Sequence, residues 1–279
     1  MVVLVAGARM KTSLLKLTAI VLLAALAGAC ATGAAKKPPT GTLEPDKFLF
    51  ERGTENLDKK RWLVAREYFR QLIDSYPQSP YRADAKLGSG DTYLGERSAE
   101  SFVLAANEFR EFLSFFPTHP RADYAQYKLA MSHYYQMRAA MRDQTETREA
   151  IKELQNFLTR FPTSPLADEG KQRLREAKDR VDDWDFGVAE HYFRIRWYPG
   201  VVGRLLPLIK ADPEYTRRDA VYFILGESFV KANKPAEALP YYERLVKEFE
   251  QSEYLENAKK RIAELKSAVP ATPGKGTHP

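Results

Sequence analysis

The stretch AREYFRQLIDSYP, residues 65–77, contains the pattern from which the architecture of this chain can be worked out. Counted back from Pro77, small or apolar residues stand twelve, eight, five, four and one positions earlier. Steps of three and four place such residues on one face of a helix. A proline ends a helix because it has no backbone N–H to donate. The stretch therefore predicts an amphipathic helix that stops just before Pro77.

The same offsets recur in four more places, around Pro117, Pro162, Pro213 and Glu250, the last of which takes the place of the proline. The spacings between successive markers are 40, 45, 51 and 37 residues. After the first three markers a serine or histidine precedes a second proline, which suits the first turn of another helix. Each copy therefore predicts a helix pair. Five copies predict an all-α superhelical solenoid, because each pair can bury its apolar face only against its neighbours.

The repeats resemble tetratricopeptide repeats. Ala65 and Phe69, followed by Pro77, match the second half of that motif, and Tyr222 with Leu225 and Gly226 match its first half. The spacings exceed the usual repeat length and vary, so the expectation is about five degenerate repeats with insertions.

The widest gap between markers predicts a long helix before the fourth repeat. No proline occurs from Leu166 to Tyr198, and apolar residues recur there at steps of three, four or seven. One long helix or two nearly collinear ones fit this pattern, with Gly170 and Gly187 as weak points. A final apolar stripe that ends near Lys266 predicts a capping helix at the carboxyl end.

The amino terminus has the features of a secretory signal peptide, with Met10 as an alternative start to Met1. Its apolar run, residues 17–29, is too short for a bilayer, which needs about 20 residues. The run ends at Cys30, the only cysteine of the chain. Residues 26–30 resemble the lipobox of bacterial lipoproteins, although Ala27 takes the place of the usual leucine. The resemblance implies that Cys30 carries the lipid; the alternative is an ordinary secretory leader.

We therefore expect five segments along the chain. They are a signal peptide (1–29), the lipidated cysteine with a flexible tether (30–45), repeats one to three (46–162), the long helix with repeats four and five and the cap (163–266), and a disordered tail (267–279).

Composition argues against several classes of function. The chain has 43 Lys and Arg against 37 Asp and Glu, without the clustered basic stripe of a nucleic-acid binder. No two of its four histidines (His119, His133, His191 and His278) stand at a metal-ligand spacing. His119, in a turn between two helices, suits a capping role. We expect no catalytic residue, no metal and no cofactor, and the chain is predicted not to be an enzyme.

Two sets of aromatic residues are candidate binding residues. Tyr76 and Tyr81 flank the first proline junction and are candidates for stacking on the aromatic ends of a bound peptide, with packing between repeats as the alternative. Trp62, Trp184 and Trp197 lie at helical spacings typical of a core. Exposure of any of these tryptophans would favour a role in partner binding.

The lipobox followed by these repeats resembles the BamD family of outer-membrane lipoproteins. The stretches FFPTHP (115–120), RDQT (142–145) and VAEHYF (188–193) resemble the family's second junction, its insertion and its long-helix signature. The similarity covers about residues 46–266.

The resemblance implies a non-enzymatic scaffold, anchored by lipid to the outer membrane and facing the periplasm. Its carboxy-terminal repeats would dock a POTRA domain of BamA beside other Bam-type lipoproteins, and its amino-terminal repeats would receive unfolded outer-membrane β-barrel proteins. Alignment on Pro213 places Arg204 at the family's BamA-pairing arginine, and the alternative is a solvated surface charge. The alternative function is a periplasmic adaptor that resembles the Tol-Pal coordinator CpoB, although no sustained heptad precedes the repeats here.

Overall fold

A computed structural model describes residues 36–268, and within that range the chain forms eleven helices and no strand. The helices are α1 (Pro45–Asp58), α2 (Trp62–Ser75), α3 (Arg82–Glu96), α4 (Ala99–Phe115), α5 (Ala122–Tyr134), α6 (Thr145–Arg160), α7 (Ala167–Arg194), α8 (Tyr198–Ala211), α9 (Arg218–Lys231), α10 (Pro235–Glu248) and α11 (Leu255–Ala268).

The helices end where the repeat pattern predicts. The helices α2, α4, α6, α8 and α10 each end two residues before one of the five markers. The residue between the helix and the marker still donates its backbone N–H to the carbonyl four residues earlier, as Tyr76 does to Leu72 at 2.9 Å. The marker proline has no N–H to extend this ladder. The predicted all-α repeat fold is confirmed.

The chain divides into two compact units, and the division along the sequence falls between Ala125 and Gln126. In the first unit the described helices pack as consecutive pairs around buried side chains that include Leu49, Phe69 and Leu72. In the second unit α7 to α11 share one core around Leu205, Tyr222 and Tyr242. The segments expected from the sequence group the repeats differently, with a boundary between residues 162 and 163. That grouping stays a prediction.

The first repeat is held by an aromatic ring that lies against glycine on two neighbouring helices. Phe69 on α2 is buried between Gly53 of α1 and Gly88 of α3. A Cβ atom placed on Gly88 would lie 2.6 Å from the ring, closer than real Cβ atoms approach. Because interiors are close-packed, neither position has room for a side chain.

The same contact recurs in other repeats. The ring of Phe109 lies against Gly90 in the first unit, where a Cβ atom would be 2.7 Å away. In the second unit Tyr242 lies against Gly226, with a corresponding distance of 2.5 Å. Phe69, Phe109 and Tyr242 all stand eight residues before their markers. Three of the five repeats therefore pair a large ring at this position with a missing side chain on the next helix, whereas the third and fourth repeats have a leucine there.

The long helix and the cap predicted from the sequence are both present. The helix α7 is a single element of 28 residues, so the two-helix alternative is not realised. Pro199 lies in the first turn of α8, where its missing N–H costs no hydrogen bond. The cap α11 is tied to α9 by Arg261, which donates to both carboxylate oxygens of buried Glu227. None of the helices between residues 36 and 268 is long and apolar enough to cross a bilayer.

We expect Gly88→Ala to lower the free energy of unfolding by about 2 kcal/mol, because the added methyl overpacks the Phe69 ring. Denaturant unfolding followed by circular dichroism measures this. Gly203→Ala is the matched control, since a Cβ atom on this exposed glycine of α8 meets nothing within 4 Å. It should leave stability unchanged or raise it by up to about 1 kcal/mol. Equal losses in the two variants would contradict the packing argument.

Candidate partner-binding surfaces

Arg204 lies on α8 at the edge of the face that packs into the second unit. Its neighbour Leu205 is fully buried, whereas the Arg204 side chain is 39% exposed. Its Nη1 donates to Asp185 Oδ1 on α7 at 3.0 Å, and its guanidinium carbon lies 5.2 Å from the centre of the Trp184 ring. The arginine is thus held in place by two residues of one neighbouring helix.

This arrangement leaves Arg204 able to bind a further carboxylate. The guanidinium has five N–H donors, and the contact with Asp185 uses one of them. An ion pair this exposed contributes little to stability, typically below 1 kcal/mol. The main effect of this ion pair is to fix the orientation of the planar guanidinium, which can donate hydrogen bonds to two oxygens at once.

One of the three tryptophans is partly buried and two are exposed. The Trp62 ring covers Gly95, where a Cβ atom would lie 2.8 Å away, as a core role requires. Trp184 is 38% exposed and Trp197 is 50% exposed, and both belong to the second unit. Trp197 keeps its place through an edge-on contact with Tyr192, with 4.5 Å between ring centres. Trp184, an exposed tryptophan beside a half-exposed arginine, has the composition of a binding hot spot.

The two candidate tyrosines of the first unit have different surroundings. Tyr81 stacks on Phe50, with ring centres 5.2 Å apart and an angle of 17° between planes, which favours its packing alternative. Tyr76 is half-buried and lines a cleft of about 500 Å³ together with Gln71, Leu49 and part of the segment 37–42. The structure therefore leaves Tyr76 as the better candidate for contact with a bound peptide.

The other wall of this cleft comes from the segment predicted as a tether. Lys36 donates its backbone N–H to Tyr68 Oη at 2.9 Å, and Pro38 and Pro39 line the cleft opposite Tyr76. Sequence reasoning missed this contact because a short polar segment carries no periodic signal. Its two adjacent prolines, which favour an extended backbone, were the available hint.

Arg175 and two neighbouring carboxyl groups, those of Asp182 and Asp212, connect α7 to the turn before α9. Arg175 donates from Nε to Asp179 and from Nη1 to Asp212, both at 3.0 Å. Burial and the neighbouring Asp212 carboxylate raise the pKa of Asp182 to about 7. Burial also disfavours the charge on Asp212, but hydrogen bonds from Arg175 and Asp182 lower its pKa to about 2. Below neutral pH the two carboxyl groups thus share a proton, an arrangement that joins elements of the second unit.

His119 accepts the backbone N–H of Arg121 on Nδ1 at 3.2 Å, in the turn just before α5, where the sequence predicts a capping role. Across residues 36–268 no group of three or more metal-ligating side chains is arranged around a common point. Cys30 lies outside the described residues.

Helix pairs that end at regular markers and pack ring against glycine form a tetratricopeptide-repeat protein, and the family model of that repeat matches residues 220–252. The family model YfiO, described as an outer membrane lipoprotein, matches residues 43–231, more than half of the chain. The chain therefore belongs to the YfiO family of outer membrane lipoproteins.

Curated relatives carry the name outer membrane protein assembly factor BamD, which confirms the resemblance seen in the sequence. The relative from Caulobacter vibrioides is 28% identical over 79% of this chain and 71% of its own length. The relative from Xylella fastidiosa is 22% identical over 66% of each chain. The relative from Vibrio cholerae is 24% identical over 65% of this chain and 78% of its own. Among solved structures, the TPR2AB-domain:pHSP90 complex of yeast Sti1 matches with a TM-score of 0.44 and 11% identity over 80% of this chain and 83% of that chain.

Proposed function

We propose that this chain is a lipid-anchored scaffold of the outer-membrane β-barrel assembly machinery. In this proposal the second unit docks a POTRA domain of BamA through Arg204, and the first unit receives unfolded barrel proteins in the cleft beside Tyr76. Membership of the family whose relatives are named assembly factors supports the general role. The observation that carries the docking step is the half-exposed Arg204, oriented by Asp185 and flanked by Trp184.

In this mechanism the chain binds its two partners and brings them together, and no covalent bond is made or broken. A scaffold that binds the insertase and the substrate at the same time raises the effective concentration of one near the other. Arg204 suits the first task because a planar guanidinium recognises a carboxylate with two parallel hydrogen bonds. Tyr76 suits the second because an aromatic ring offers contact area at low entropic cost. The chain's family membership favours this role over the Tol-Pal alternative.

We expect Arg204→Glu to weaken binding of the purified POTRA region of BamA at least tenfold, because it places like charges opposite each other. Isothermal titration calorimetry with the full lipoprotein in detergent measures the affinity. Lys210→Glu makes the same charge change at an exposed position of the same helix and should bind as the wild type does. Wild-type affinity in Arg204→Glu would remove this arginine from the interface. No binding by the wild-type protein, with capture of purified TolA or Pal instead, would favour the Tol-Pal alternative.

A photoreactive benzophenone amino acid at position 76 should crosslink to a peptide that corresponds to the last strand of an outer-membrane barrel. The reason is that Tyr76 borders the one described cleft we assign to substrate. Mass spectrometry of the crosslinked product identifies the site. The same group at position 135, an exposed tyrosine of the second unit, is the control and should give no product. Equal labelling at both positions would show that the peptide has no preference for the cleft.

The anchor in this proposal is the lipid on Cys30, so Cys30→Ser should release the protein into the soluble periplasmic fraction. Acyl chains hold a protein to the bilayer by about 0.8 kcal/mol per buried CH₂, and the variant has none. Fractionation followed by immunoblotting measures the distribution. A variant that stays with the membranes after a high-salt, alkaline wash would contradict lipid anchoring.

A further inference from the structure

We propose that the loop between α5 and α6 forms, together with Trp184 and Arg204, one continuous docking ridge for an acidic partner surface, with Met141 at its centre. The proposal rests on the proposed docking function and assigns it a second chain segment and the chemistry of the partner. All of its residues lie in the second compact unit.

The loop, residues 135–144, is built around a buried side chain. The Gln144 amide nitrogen donates to the carbonyl oxygens of Ala139, Ala140 and Arg142, at 2.9, 3.1 and 3.0 Å. Its amide oxygen accepts from the Thr147 hydroxyl at 2.8 Å. The amide nitrogen has two N–H groups, so the three carbonyls share them. Together with the Thr147 contact they fix the path of the loop, so the residues at its tip are presented in one arrangement.

The loop is also fastened to α7. Arg180 donates from Nη1 to the carbonyl oxygen of Arg138 at 3.0 Å. Met141 lies against Gly187, where a Cβ atom would be 3.3 Å from its sulfur. The missing side chain at position 187 thus lets the loop approach the helix closely, which gives this supposed weak point of α7 a packing role.

The fixed loop and α7 together present a row of exposed apolar and cationic groups. Met141 is 61% exposed although it contacts α7 at Gly187, and Trp184 lies one turn earlier on the same helix. The guanidinium of Arg204 lies over the Trp184 ring. A single exposed apolar residue is ordinary on a protein surface, but a contiguous set held by a rigid loop indicates an interaction site. Methionine suits such a site because its flexible side chain adapts to the surface opposite it.

Charge indicates the kind of partner. The apolar centre is bordered by the exposed Arg138 and Arg142 of the loop, and by Arg180 and Arg204 of the helices. Two acids contact this set: Asp185 pairs with Arg204, and Asp143 of the loop interacts with Arg138. Four arginines against two acids leave the border of the patch with an excess of positive charge. The ridge therefore fits a folded domain that presents carboxylates around an apolar patch, and we commit to the POTRA region of the proposed docking as its occupant.

The test measures the affinity of the full lipoprotein in detergent for the purified POTRA region of BamA. We expect Met141→Glu to weaken binding at least tenfold and Met141→Lys to weaken it less, because only the acid repels a carboxylate-bearing partner. Trp184→Ala should also weaken binding about tenfold. Leu63→Ser, at a strongly exposed leucine of α2 in the first unit, is the control and should bind as the wild type does. Circular dichroism establishes that each variant is folded.

The outcomes separate the two proposals. Loss of binding in Arg204→Glu with wild-type affinity in both Met141 variants would overturn the ridge and leave the proposed docking in place. Equal losses in Met141→Glu and Met141→Lys would overturn the acidic character of the partner surface. If the wild-type protein does not bind the POTRA region, the proposed docking fails and the ridge, as its site, fails with it.

Discussion

The close approach of an aromatic ring to a glycine on the neighbouring helix is the constraint on which three of the five repeats depend. Phe69 fills the space that Gly53 and Gly88 leave open, and Phe109 and Tyr242 repeat the arrangement with Gly90 and Gly226. A ring at this position buries a large apolar area, and it fits because glycine has no side chain. The distance between consecutive helices follows from this exchange, so the surfaces they present are fixed in turn.

Around this packing, α7 serves as the element to which the rest of the second unit is attached. Its acidic residues bind two neighbouring parts of the chain. Asp179 accepts from Thr216 and Asp183 from the Tyr215 hydroxyl at 2.6 Å, both in the turn before α9. Asp185 pairs with Arg204 on α8. These contacts explain how a helix of 28 residues with a largely polar sequence stays in place. They also leave Trp184 on its outer side, next to the one residue of α8 that the family resemblance singles out.

The arrangement of exposed groups gives the proposed function its physical basis. Holding two partners requires surfaces that are rigid before binding, since ordering a loop or a side chain at the moment of contact reduces the affinity. Gln144 fixes the α5–α6 loop, Asp185 fixes Arg204, and Tyr192 supports Trp197. In the first unit the segment that follows the proposed anchor lies along the cleft beside Tyr76, so anchor and cleft are connected through a few residues of chain.

The sequence by itself determined where the helices end, because a proline stop and an apolar stripe act within one or two turns of the chain. It thereby determined the helix pairs, the long α7 and the cap, and the lone cysteine after a short apolar run indicated the anchor. Only the tertiary structure decided that Trp62 packs on Gly95 while Trp184 stays exposed, that Asp185 holds Arg204, and that Met141 lies beside Gly187. These outcomes depend on which residues of other helices occupy the space around each side chain, and the spacing of apolar residues along one helix carries no information about that.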